Sequence, residues 1–463
     1  MATTTSDSST ILGVVVLARH GDREGFYQDP NTYTPSDTHI TALGNQQAYL
    51  LGTTLRQTYF TAGSPNHIGG LDATTLARTD RVRVRADAGG EGGVVLGSAT
   101  AMLQGLFPPS TQYNAVLANG STVVGPLGGY QTFPIESVEP ANDISLEGFV
   151  DCPAFGMEIQ EWYEYSEELA EKDKENAALF DALKPYVNGR AVSMKHMWNV
   201  FDYMNVQSIH NASYAASLPD GYLAQARHLA NWLQYHTFSS RHLDGIGNIA
   251  GRTILPTLLD GFAEIADSEK QLRFLYQAIS YKPFISLFNM TGAAEAHPEL
   301  AGIVNYSAAM AIEVRRPAPG AEPVLRLKFK NGTEEADFKT YSFMGSQNDV
   351  PLSTFVDRLS TASIGGFPEW CSECQNSEHP QCAALTAAMY KGQALAAEYL
   401  IEPPSVSPLG AGFIGAGVAL AFALSMFAVL AFLGFLTIGK SKRFETKRKP
   451  SLSGSETSLS TKV

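Results

Sequence analysis

The sequence predicts a three-layer α/β/α sandwich: a central mixed, mostly parallel sheet, an α-helical insertion and one C-terminal transmembrane helix. Three observations predict it. Residues 11–18, ILGVVVLA, are apolar on both alternating faces, as in a strand covered from two sides. Strand and helix patterns then alternate at βα spacing as far as residue 109. Finally, residues 409–439 contain no charged residue, whereas a bilayer core of about 30 Å needs only ~20 apolar residues as helix.

The elements follow in order. After the first strand, HITALGNQQAYLLGTTLRQTYF (39–60) has helical spacing, with Leu43, Tyr49, Leu50 and Leu55 expected to face inward. RVRVRA (81–86) alternates as a strand. GGVVLGSATAMLQGLFPP (92–109) reads as glycines leading into a helix closed by two prolines. Residues 125–270 carry long helical patterns, among them EIQEWYEYSEELAEKDKENAALFDALKPYV and YLAQARHLANWLQYHTF, and predict the insertion. Strands return with QLRFLYQAISY, AAMAIEVRR and PVLRLKFKNG, and a helix follows near PLSTFVDRLS. The expected organisation is an α/β core from 10–124 and 271–400, the insertion at 125–270, a linker at 401–408, the span at 409–439 and a basic, disordered tail at 440–463.

The 463 residues carry a net charge of −13, which argues against a nucleic-acid partner. The charge is uneven: the tail from Lys440 holds seven Lys/Arg and two Glu. Basic residues at that end of the span place the tail in the cytosol and the body outside or in a lumen, with the lipid bilayer as partner through 409–439. Five sequons, at Asn119, Asn211, Asn289, Asn305 and Asn331, agree with glycosylation there. Four cysteines, Cys152, Cys371, Cys374 and Cys382, suit disulfides; the C-x-x-C at 371–374 lacks the second close pair of a zinc site. The N-terminal MATTTSDSST has no basic region and does not read as a cleavable signal peptide.

The first strand ends in Arg19-His20-Gly21-Asp22-Arg23. Carboxyl ends of parallel strands are where α/β sheets place ligands. Two guanidiniums there can fork onto phosphate oxygens. An imidazole between them can attack phosphorus if it is neutral at the attacking nitrogen, and the glycine lets backbone pass close to the anion. Such chemistry calls for no cofactor and no metal. The glycine-rich GGEGG (89–93) is a turn into a helix, since no Gly-Lys-Ser/Thr follows.

With this motif the chain resembles the histidine acid phosphatases, a branch of the histidine phosphatase superfamily, whose motif is R-H-G-x-R-x-P; here Gly25 replaces the proline. ITALGNQQAYLLGTTLRQTY looks like the family's Leu-Thr-x-x-Gly-x-x-Gln helix, and SATAMLQGLFPP like the helix after its second strand. VNYSAAMAIEVRR with PVLRLKFKNG, and VPLSTFVDRL with EWC, look like its late segments. The resemblance implies hydrolysis of a phosphorylated small molecule, with His20 as nucleophile and Arg19 and Arg23 as phosphate ligands. Two departures stand out. The family's third phosphate-binding Arg falls on Val94, and its His-Asp pair falls on Ser280-Tyr281-Lys282. Asn348-Asp349 comes too late in the chain to be that pair. Lys282 as a cation, Tyr281 as an acid, and Glu91 or Asp22 as a carboxylic donor are the candidate substitutes. The expected function is an acid phosphatase of reduced activity; the alternative is an inactive pseudophosphatase that binds a phosphate ligand or partner at a membrane.

Overall fold

Strand β1 (Thr10–Arg19) runs through the middle of the main sheet. Val14 to Ala18 have no exposed surface, because each face of the strand enters a different core. Val15 and Leu17 pack with the helices of residues 149–310, whereas Val14, Val16 and Ala18 pack with Leu51, Leu55 and Met102. This two-sided burial is what a strand without polar residues demands.

The computed structural model describes residues 9–25, 38–74, 76–347 and 349–401. The chain divides into two units, Met1–Ala387 and Ala388–Val463, and the sheet lies in the first. Its further strands are β2 (Val82–Asp87), the hairpin β3–β4 (Asn114–Val116, Thr122–Val124), β5 (Glu136–Val138), β6 (Phe274–Ile279), β7 (Ala309–Arg316), β8 (Val324–Lys330), β9 (Lys339–Tyr341) and β10 (Asp349–Pro351). The main sheet has the order β10-β8-β7-β1-β6-β2-β5, with β9 also on β8, and the hairpin stands apart. Strands β1, β6, β2 and β5 are parallel, and β7 and β8 add antiparallel ladders. The fold is thus mixed α/β around a central sheet whose parallel half carries the end of β1.

The helices Ala42–Leu55 and Gly92–Leu106 pack together on one face. Their contact corrects one expectation. Leu43, Tyr49 and Leu50 are exposed; Gly44, Ala48, Leu51, Gly52 and Leu55 face inward. A Cβ on Gly52 would come within 2.0 Å of the Met102 carbonyl oxygen, and one on Gly105 within 2.1 Å of that of Tyr49. Small residues let the two backbones touch, and the larger side chains turn outward.

Residues 125–270 are rich in helix, including Pro153–Tyr165, Met197–His210, Tyr222–Thr237 and Ile249–Ala266. Both ends of this stretch nevertheless belong to the sheet layer. Strand β5 is the sheet's edge, and Gly261 of the last helix packs against Leu275 and Val15. Cys152 pairs with Cys374, and Cys371 with Cys382. The first bridge ties the late segment to residues 148–154, where Trp370 Nε1 also donates to the Gly148 carbonyl (2.7 Å).

The membrane placement expected from the sequence is corrected: among the described residues no helix is long and apolar enough to cross a membrane. The segments 409–439 and 440–463 lie outside the described residues. Of the sequons, Asn119 and Asn211 are exposed. The Asn289 amide nitrogen donates to Ser240 O and Asn248 Oδ1, and that of Asn305 to Asn331 O. Asn331 Oδ1 accepts from the Asn305 backbone.

Candidate active site

The loop after β1 is held from four directions. The Gly21 amide donates to Ser98 Oγ (2.9 Å), the Asp22 amide to Gln47 Oε1 (2.8 Å), and Thr41 Oγ1 to Asp22 Oδ2 (2.5 Å). Gly21 and Gly44 touch: a Cβ on Gly21 would lie 2.3 Å from the Gly44 carbonyl oxygen, and one on Gly44 2.1 Å from that of Asp22. Thr41, Gly44 and Gln47 are the spaced residues of the Thr-x-x-Gly-x-x-Gln pattern, and all three hold this loop. Thr41 also caps its helix by accepting from the Gly44 amide.

His20 is fully buried. Its Nδ1 lies 2.8 Å from the Gly21 carbonyl oxygen, which can only accept, so Nδ1 carries the proton. The lone pair therefore sits on Nε2, which has no hydrogen-bond partner among the described residues and lies 3.6 Å from Glu91 Oε2. Burial pushes the imidazole below its ordinary range despite the Glu91 carboxylate, so the ring is neutral at neutral pH.

Arg23 does not face an open anion site. Its Nε binds Glu91 Oε1, and its Nη1 lies 3.0 Å from Asp202 Oδ1. Burial acts to lower its affinity for a proton, but Asp202 and Glu91 hold it well above the ordinary arginine value. Glu91 is itself buried, which favours the neutral acid, yet the Arg23 guanidinium bound to it holds it well below the usual carboxylate range. Glu91 is therefore a carboxylate, and it fills the space between His20 and Arg23. Arg19 points elsewhere. Its guanidinium lies over the rings of Tyr306 (4.4 Å) and Tyr281 (5.2 Å), and Nη1 donates to the Val304 carbonyl (2.5 Å).

The other candidates are placed as follows. Asp22 Oδ2 takes the Thr41 hydroxyl and His210 Nε2 (2.8 Å), so this carboxylate joins two helices. The Tyr281 hydroxyl donates to Gln234 Oε1 (2.6 Å). Lys282 Nζ lies 4.6 Å from the centre of the Phe149 ring. A cavity of about 310 Å³ reaches Tyr281 and Lys282 from the helical side, with Tyr163, Lys195, His196 and Trp198 among its walls. Val94 is buried, and Ser280 Oγ is buried without a partner among the described residues. Asp349 is bound by Arg326 at the far edge of the sheet (Nε–Oδ1 2.6 Å); Asn348 lies outside the described residues.

Four residues of the region escaped sequence reasoning. Asp202, on Met197–His210, neutralises Arg23 from 179 positions away. Arg227 approaches Arg19 from another helix. Asp87 and Glu147 form a buried carboxyl pair beside the turn that carries Glu91: Asp87 Oδ1 accepts from the Gly89 amide (2.9 Å) and Glu147 Oε2 from that of Gly90 (3.1 Å). Burial first, and for Asp87 the charge of Glu147 next, raise both carboxyls above their ordinary range. Only Asp87 had a sequence signal, as the acid closing the alternation RVRVRAD.

This fold has solved relatives. The chain is similar to the Klebsiella sp. ASR1 phytase and the Citrobacter braakii phytase, each at 13% identity and a TM-score of 0.52, over 77% and 78% of this chain and 97% and 99% of theirs. It is also similar to the Hafnia alvei phytase in complex with myo-inositol hexakis sulphate, at 14% identity and a TM-score of 0.50, over 78% of this chain and 98% of that one. At such identities the likeness shows the fold. A comparison with curated proteins gave no match. The family model for the histidine phosphatase superfamily, branch 2, matches residues 25–278, more than half of the sequence. On that match the chain belongs to the histidine phosphatase superfamily, branch 2.

Proposed function

We propose that this protein hydrolyses phosphomonoesters through a phosphohistidine on His20, as a slow acid phosphatase. One atom carries the reading. Nε2 of His20 is buried, without a hydrogen-bond partner among the described residues and unprotonated, while Nδ1–H is committed to Gly21. That lone pair can attack phosphorus. The Nε2–P bond forms as the P–O bond to the leaving group breaks, and the leaving oxygen takes up a proton. Water then attacks phosphorus, the N–P bond breaks, and inorganic phosphate departs. The proposed proton source is the Asp87–Glu147 pair, since Glu91 is ionised. Family membership supports phosphatase activity in general. The Hafnia alvei phytase holds a polysulphated inositol, and a phosphorylated small molecule is the ligand class proposed for this chain.

Turnover is expected to be slow. A missing general acid costs about 10²–10⁴ in rate. A missing charge-stabilising donor costs about 10²–10³. Steady-state assay of the full chain on an aryl phosphate, between about pH 4 and pH 8, beside His20→Ala, tests the reading. Turnover that disappears in His20→Ala supports it, and equal rates in the two proteins sink it.

A second reading has its own observation. Because Glu91 stands between His20 and Arg23, the protein could bind a phosphorylated ligand without turning it over. No turnover together with saturable vanadate binding would favour that reading.

A further inference from the structure

The hairpin β3–β4 stands apart from the main sheet, and every residue of its two strands is exposed. A two-stranded hairpin alone is marginal in water. What this one shows to water is apolar: Tyr113, Val116, Leu117, Val123 and Val124 are all exposed, Val116 at 71%. The register pairs Asn114 with Val124, Ala115 with Val123 and Val116 with Thr122. Val116 and Val124 therefore share one face, Ala115 and Val123 the other, and neither face is covered. Just beyond β4, Leu127 has φ 53° and ψ 35° and is 83% exposed. Left-handed backbone suits glycine and is uncommon for a leucine. The fold gains little burial from leucine there, so both its conformation and its exposure point outward, to a partner.

The edges of the hairpin differ. The Gly125 amide donates to the Tyr113 carbonyl (2.8 Å) and the Leu117 amide to the Ser121 carbonyl (2.8 Å). By the alternation of an antiparallel ladder, the backbone groups of Thr122 and Val124 then turn away from β3. The β3 edge is partly closed, since the Asn114 amide donates to the Gln112 carbonyl (2.9 Å) and Asn114 Nδ2 to the Thr111 carbonyl (2.7 Å). Strand β4 has no second neighbour among the described residues. An open apolar edge is a template for another strand.

Charge and hydrogen bonding select that strand. The chain carries −13, yet residues 92–135 contain no charged residue. Two copies repel each other over much of their surface and meet here without like-charge contact. Lipid tails would cover the side chains but leave the outward amides unpaired. A second β4 covers both. With a two-fold axis at Val123, Thr122 lies opposite the other copy's Val124, and every outward group of both residues is paired. A slip by two residues would set Thr122 against Pro126, which has no N–H, or Val124 against Gly120, whose N–H is taken by the Leu117 carbonyl.

We infer that β4 pairs antiparallel with β4 of a second copy, about a two-fold axis at Val123, to form a homodimer. Residues 113–127 are fewer than the ~20–30 a side of a standard interface, so the dimer is weak and depends on concentration. The inference does not need the phosphohistidine reading, since it involves neither His20 nor turnover.

Cysteine cross-linking of the full chain tests it. The four native cysteines are all in disulfides, so an introduced thiol is the reactive one. Facing residues of this kind have Cα atoms about 4.5 Å apart, within disulfide reach. With oxidised glutathione, Val123→Cys should form linked dimers at least tenfold faster than Ser217→Cys, an exposed position on another element. Adding Val124→Pro removes an outward N–H and should slow the linkage at least tenfold. Adding Leu127→Gly should also slow it, while the melting temperature holds or rises, which a merely structural leucine would not allow. Sedimentation of wild type over a concentration series should show a dimer that Val124→Pro removes. Should Val124→Pro fail to fold, Leu127→Gly decides alone. Linkage of Val123→Cys no faster than Ser217→Cys, or linkage unchanged by both added substitutions, overturns the inference. So does flotation of unlinked protein with phosphatidylcholine vesicles that Leu127→Gly abolishes, which would assign the patch to lipid.

Discussion

Oε2 of Glu91 stands 3.6 Å from Nε2 of His20, and Oε1 of the same carboxylate binds Nε of Arg23. Glu91 thus holds the place between the proposed nucleophile and the Arg23 guanidinium that the proposed reaction would give to an incoming phosphate. Two like charges about 4 Å apart repel by ~4 kcal/mol at an effective dielectric of ~20. An arriving dianion must displace or protonate this side chain. Glu91→Gln is therefore expected to tighten vanadate binding by about 10- to 100-fold, a gain of ~1.4–2.7 kcal/mol, with Asp202 still pairing Arg23. Vanadate titration of the two proteins checks this; unchanged affinity would show that the carboxylate and the anion do not compete.

The same charges set how stability responds to acid. His20 and Glu91 both bind protons less readily in the folded chain than in the unfolded one. Their stabilisation is present above the unfolded values, about 6.5 and 4.3, and drains away as pH falls toward the lower folded values. Asp87 has the opposite sign: its proton affinity is raised, so its contribution is complete at low pH and is lost as pH climbs toward the folded value. Melting temperature should fall on acidification below about pH 6.5 in wild type and fall less in His20→Asn. Asp87→Asn should melt higher than wild type at neutral pH. Parallel pH profiles for wild type and His20→Asn would contradict the burial of a neutral His20.

What the sequence disclosed follows from range. The loop was legible because Arg19 to Arg23 break off an apolar strand; Thr41, Gly44 and Gln47, and Ser98 within Gly92–Leu106, were visible only as parts of family-like helices, and that they hold the loop comes from the structure. The strand β1 was legible because its own residues are apolar on both faces. The inward face of Ala42–Leu55 was misread because hydrophobicity was weighed and backbone contact was not. Leu43 and Leu50 are apolar yet exposed, and Gly52 is inward because Met102 leaves it no room. Nothing local marks Asp202, Glu147 or Arg227. Their roles come from residues far away in the chain, which no periodicity records.

Gly52→Ala tests that helix contact. The added Cβ meets a carbonyl oxygen at 2.0 Å, so the helices must separate. Overpacking of this kind costs about 1–3 kcal/mol. Denaturant unfolding should show that loss, while Gly156→Ala, which has open space at its Cβ, should not be destabilised through a clash.

The Cys152–Cys374 bridge spans a sequence separation of 222 and ties the late segment to the helical region. Removing a native disulfide typically costs about 2–5 kcal/mol. Cys152→Ser should lower stability within that range, and a reducing agent should lower wild type toward the mutant. Urea denaturation with and without reductant measures both.

Alkali-stable trapping of the phosphoenzyme is the most direct measurement of the central claim, that His20 Nε2 is a nucleophile. The full chain is mixed with an isotopically labelled aryl phosphate, quenched in base and digested, and the labelled peptide is sequenced. The proposed chemistry places the label on His20, more of it in Glu91→Gln, and none in His20→Ala. Label on another residue, or no label in folded wild type and Glu91→Gln alike, contradicts it.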